Sequence, residues 1–92
     1  MSSVIHKYPL EARLVGGGLV EMPAGAEILH VSEQLGKAWV WAKVNPNAPM
    51  VQRRLAIART GEQYDFYGRY IGTFFLDRGW VVGHVFDAGE TS

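Results

Sequence analysis

The chain has 92 residues, nine basic and nine acidic side chains for a formal net charge of zero, and no cysteine. About 90 residues make one domain with no room for a second core. The missing cysteines exclude disulfides, thiolate metal sites and a cysteine nucleophile, and the balanced charge argues against generic nucleic-acid binding, which rests on clustered positive charge.

Hydrophobic residues at 48% and charged residues at 20% describe a foldable globular chain. No apolar run approaches the roughly 18 residues of a membrane span, so no membrane partner is expected. The opening MSSVIHKYPL has no apolar signal-peptide core, which predicts an intracellular protein.

Apolar residues come in short runs punctuated by glycine or proline, and no window carries a sustained helical stripe, so the pattern predicts strands and turns. In chain order the strands fall at Val4–Tyr8, halted by Pro9; Leu19–Met22, after the Gly16–Gly18 turn; and Ala26–Gln34, after Pro23-Ala24-Gly25. Then come Ala38–Val44, Val51–Thr60 beyond the rigid Asn45–Pro49 loop, Arg69–Leu76, and Trp80–Asp87 after the Asp77-Arg78-Gly79 turn. The expectation is an all-β fold: a single small antiparallel β-sandwich or barrel of about seven strands over residues 1–87, with 88–92 a flexible tail.

Side chains alternate along a strand, so each strand divides into two faces. In the fourth strand Ala38, Val40, Ala42 and Val44 suit a packed interior, while Trp39 and Trp41, framed by Lys37 and Lys43, fall on the other face. In the sixth, Tyr70, Phe74 and Leu76 share one face and Ile71 and Phe75 the other. Apolar residues on both faces of several strands exceed what one sandwich needs. Three readings stay open for the tryptophan face: a subunit interface, burial under the long loops, or a ligand platform.

Candidate chemistry is sparse. His6, His30 and His84 lie on separate strands with no H-x-H pair, so no metal site is predicted. Gly16–Gly18 and Gly36-Lys37 lack the phosphate-loop pattern, no G-x-S-x-G occurs, and the carboxylates are scattered. No catalytic residues and no cofactor are predicted. The arginines are more informative. Arg53 and Arg59 share a face with Val51, Leu55 and Ile57, and Arg54 points the other way. With Tyr64, Phe66 and Tyr67 close behind in sequence, these forks could hold a small phosphorylated ligand against an aromatic ring. The competing reading is an ordinary solvated edge strand.

The blocks Lys7-Tyr8-Pro9-Leu10, Met22-Pro23-Ala24-Gly25-Ala26, Tyr70-Ile71-Gly72-Thr73 and His84-Val85-Phe86 resemble a family of short, uncharacterised proteins of tailed bacteriophages and prophages, over residues 5–87. The resemblance implies a bacterial host cytoplasm and transfers no catalytic residue. Residues and resemblance together lead to the expectation of a non-enzymatic phage accessory protein. It would be a homo-oligomer that binds a host protein, as an inhibitor of host antiviral defence. The alternatives are a sponge for a nucleotide signal and a minor virion structural or assembly component. The binding candidates are Arg53, Arg54, Arg59, Tyr64, Phe66, Tyr67, Trp39 and Trp41.

Overall fold

A computed structural model describes residues 2–91. Seven strands form two antiparallel sheets: β1 (Val4–Pro9), β2 (Gly18–Pro23), β3 (Glu27–Gln34), β4 (Lys37–Val44), β5 (Met50–Arg59), β6 (Arg69–Leu76) and β7 (Val81–Thr91). One sheet has the order β1-β4-β3 and the other β2-β5-β7-β6. The two sheets share no ladder, so the fold is a sandwich and not a barrel. Two short 3-10 turns, Ala12–Leu14 and Asp77–Gly79, are the helical elements among the described residues, and no helix there is long and apolar enough to cross a membrane.

The core forms where alternation predicts it. Ala38, Val40, Ala42 and Val44 of β4 are buried against Val20 and Met22 of β2, Leu55 and Ile57 of β5, Phe74 of β6 and Val85 of β7. Two close approaches depend on glycine. A Cβ on Gly83 would lie 2.3 Å from Cζ of Phe74, whose ring covers that position, and a Cβ on Gly72 would lie 2.8 Å from Cβ of Val31, where β6 meets β3.

Three features depart from the sequence expectation. Pro9 belongs to β1. The Leu10 amide donates to the Ala38 carbonyl, and the register pairs Pro9 with Trp39, so the bonding groups of alternate residues Tyr8, His6 and Val4 turn toward β4. The missing N–H of Pro9 therefore falls on the open side of the strand, where it costs the ladder nothing.

Residues 88–91 are strand and not tail. Gly89, Glu90 and Thr91 pair with Arg54, Arg53 and Gln52 beyond a bulge at Ala88. Ser92 lies outside the described residues. Finally, a bulge between Tyr70 and Gly72 shifts the phase of β6. Tyr70 consequently shares the outer face with Phe75, not the core face with Phe74 and Leu76.

Candidate functional site

The proposed arginine cluster divides between the two sides of its sheet. Arg53 faces inward with its side chain only 12% exposed. Its Nε donates to Oδ1 of Asp87 at 2.9 Å and its Nη2 to Oδ2 at 2.7 Å, a bidentate pair of the strong, charge-assisted kind. Its Nη1 donates to the Ala26 carbonyl at 2.9 Å. The Glu90 carboxylate, 3.8 Å from Nη1, also accepts from the Gly25 amide. These bonds converge where the chain leaves β2 in one sheet and enters β3 in the other.

Arg53 is thus consumed by the crossover between sheets and is not free to hold a ligand. Burial pushes the Asp87 carboxyl upward, but the bonds from Arg53 and from the Gly89 amide outweigh it, and the group sits below the ordinary carboxylate range. The bond to Asp87 raises Arg53 in turn.

Arg54 and Arg59 lie elsewhere. Arg54 points to the outer face, into a cleft of about 350 Å³ lined by Gly17, Ala56, Asp65, Phe66, Tyr67 and Ala88. It forms no ion pair among the described residues. Arg59, at the end of β5, reaches the Glu62 carboxylate at 3.8 Å. Arg54 and the aromatic loop are therefore together, as the sequence predicts, while Arg53 is on the opposite side of the sheet.

The aromatic loop 61–68 packs back on the outer face of the four-stranded sheet. Small residues on β5, Ala56 and Ala58, leave room for it. Phe66 meets the Phe86 ring at 5.0 Å between centroids, Tyr70 meets the same ring at 5.6 Å, and Tyr64 lies 6.2 Å from Phe66. The Tyr64 hydroxyl donates to the Glu62 carboxylate, a bond that raises the phenol above its ordinary range. Tyr67 is left in solvent.

Beneath this loop, His84 is held at both ring nitrogens. Nε2 is 2.8 Å from the Thr60 hydroxyl and Nδ1 is 3.0 Å from that of Thr73, which also meets the Tyr70 hydroxyl at 2.5 Å. A neutral imidazole donates from one nitrogen and accepts at the other, so the chain of groups latches the end of β5 to β6. Among the described residues no three His, Asp or Glu side chains converge as a metal site.

The predicted tryptophan face is the outer surface of the other sheet. Trp39 and Trp41 are half-buried there. The Lys7 ammonium sits 4.4 Å from the centre of the Trp39 ring, and His30 lies 6.0 Å from Trp41. Neighbouring side chains on the sheet thus cover part of both rings.

The sequence pattern puts Tyr70 and Phe75 on opposite faces of the sixth strand and Trp80 within the seventh, and the structure places these three aromatics differently. Trp80 is 85% exposed, Phe75 59% and Tyr70 55%. The turn before Trp80 runs through three positive φ values, 50° at Asp77, 57° at Arg78 and 88° at Gly79. That leaves Trp80 at the hairpin tip instead of within β7. The turn signal was visible in Asp77-Arg78-Gly79. The bulge that carries Tyr70 onto the same face as Phe75 was not.

The chain matches the family described as "Domain of unknown function (DUF7352)" over residues 1–92. It belongs to this family. No curated protein and no solved structure matches it. The description of the DUF7352 family names no activity, so a functional reading rests on the surfaces of the fold.

Proposed function

We propose that this DUF7352 domain is a non-enzymatic module that binds a protein partner through the outer face of β6 and β7. The observation that carries this reading is the exposure of Trp80 at the tip of the β6–β7 hairpin together with Phe75 and Tyr70 on the outer face of β6. Large aromatics left in water cost free energy, and aromatic anchors of this kind dominate protein–protein binding energy. The rigid backing of this face by the Phe86–Phe66 stack and the His84 latch lowers the ordering cost of association. With the resemblance to tailed-phage proteins, the partner in this reading is a host protein, and interference with host defence is its role.

The test is retention of a defined host protein by the immobilised domain. A Trp80→Ala/Phe75→Ala variant of unchanged fold is expected to lose that protein. Equal retention by wild type and variant would remove the face from consideration.

A second reading has its own observation. Arg54, without an ion-pair partner among the described residues, stands beside Phe66 and Tyr67 in the outer cleft. That arrangement supports a small ligand with one anionic group and a flat ring; Asp65 in the same cleft disfavours higher negative charge. A panel of cyclic nucleotides that raises the melting temperature of wild type but not of Arg54→Ala would support it. No shift with any of them would exclude that ligand class.

A further inference from the structure

We infer that β1 is the pairing edge of a symmetric dimer, in which two copies join their three-stranded sheets into one six-stranded sheet with His6 on the twofold axis. This stands independently of the partner face on β6 and β7. It gives a geometry to the homo-oligomer expected from the sequence.

The sandwich has four edge strands, β1 and β3 in one sheet and β2 and β6 in the other. On one side of the sandwich β3 and β6 come together, with Gly72 against Val31, and both of these strands are paired through bulged ladders. Bulges blunt an edge against further pairing. On the other side β2 also has an unbroken ladder, but the Arg13 guanidinium donates to its Leu19 carbonyl at 2.7 Å and occupies that edge; β1 carries no such contact among the described residues. Its ladder to β4 is unbroken from Val4 to Pro9, and five of its six residues are exposed, on both faces of the strand, with Tyr8 intermediate. Ile5 is 61% exposed. No other described residue pairs with this edge.

The free hydrogen-bonding groups select the occupant and its register. Since Val4, His6 and Tyr8 bond to β4, the amides of Ile5 and Lys7 and the carbonyls of Ile5, Lys7 and Pro9 face outward. A second copy running antiparallel about His6 places Ile5 opposite Lys7 of its partner and Lys7 opposite Ile5 of its partner. Each of these pairs exchanges both of its bonds, four in all by the antiparallel pattern. The Lys7 ammonium is drawn back over Trp39 and Gln34 of its own sheet, so its charge stays clear of the apolar Ile5 side chain of the other copy.

Slipping the pair to put Lys7 on the axis would oppose two like charges and set Ile5 against the missing donor of Pro9. Slipping the other way, to Ile5, shortens the overlap. The edge is thus self-complementary in one register.

His6 and its symmetry mate form a non-hydrogen-bonded pair in that register, with Cα atoms about 4.5 Å apart, inside the range that a disulfide spans. Because the chain has no cysteine, a His6→Cys variant carries one thiol per copy. Mild oxidation is expected to convert most of it to a covalent dimer. Ile5→Cys is expected to stay reduced, because the two copies of that position are diagonal, about 7–8 Å apart.

In sedimentation, wild type is expected to show a concentration-dependent dimer. Lys7→Pro, which removes an outward amide and leaves the β1–β4 ladder intact, is expected to remain monomeric. Wild type that stays monomeric at millimolar concentration, a dimer that survives Lys7→Pro, or cross-linking of Ile5→Cys as readily as of His6→Cys would each overturn the proposal.

Discussion

Arg53 and Asp87, 34 positions apart in the chain, meet through two parallel hydrogen bonds of 2.9 and 2.7 Å at the crossover between the sheets, with side chains only 12% and 5% exposed. Removing one partner strands the other as an uncompensated charge. Asp87→Ala is therefore expected to cost about 3 kcal/mol of folding stability, measured by urea denaturation. An Arg53→Met/Asp87→Leu pair should recover much of that loss, since apolar replacements of similar volume need no counter-charge. A double variant no more stable than Asp87→Ala would show that the bond to Ala26, and not the ion pair, carries the crossover.

The same pair sets an acid dependence. Asp87 titrates lower in the folded protein than in the unfolded chain, whose carboxylate lies at about 3.9. Below that value the unfolded state binds the proton first, so stability falls as the pH drops toward the folded-state value and is fully present above the unfolded one. Wild type is expected to lose stability on acidification below about pH 4 more steeply than Asp87→Ala, whose curve lacks this contribution. Parallel curves in thermal melts between neutral and acid pH would contradict it.

Gly83 lies under the Phe74 ring, with no space for a methyl group. Gly83→Ala is expected to destabilise by about 1–3 kcal/mol through overpacking. Phe74→Leu in the same chain should reduce that penalty, and a double-mutant cycle measures the coupling. Additive losses would mean that the strand shifts, not the ring.

Phe66 anchors the 61–68 loop on Phe86 at 5.0 Å. Phe66→Ala is expected to lower stability by about 1–2 kcal/mol, from lost burial and lost ring contact. It should also speed amide exchange across residues 61–68 far more than in β4. Trp80→Ala, by contrast, is expected to change stability by less than about 0.5 kcal/mol, as for exposed positions generally, while abolishing partner binding. A large stability loss at Trp80 would place it in the fold and not on a docking face.

Alternation along the strands was enough to put Val40 inside and Trp39 outside, and to send Arg53 and Arg54 to opposite sides of β5. Those assignments need only a two-residue period. The role of Arg53 was hidden because its partner lies 34 positions away and strand order decides whether they meet. Tyr70 was misplaced because a single bulge reverses every side chain beyond it, and no turn residue announces it. Residues 88–91 looked small and polar enough to fray, yet β5 extends far enough to pair with them. Pro9 reads as a strand end because proline cannot donate to a ladder, and only the register with β4 shows that its nitrogen faces the open side.

The strand order also sets a sequence of events in time. Only β3–β4 and β6–β7 join neighbours in both chain and sheet across short turns. Such hairpins close on the microsecond scale. The pairings β1–β4, β2–β5 and β5–β7 must each span an intervening strand or a long loop, at greater cost in chain entropy. The ion pair that backs the bond from Arg53 to the crossover forms only after β7 has delivered Asp87. The latest-closing part of the domain is thus the corner where the two sheets are locked together, and a nascent chain holds that corner open until β7 has been made.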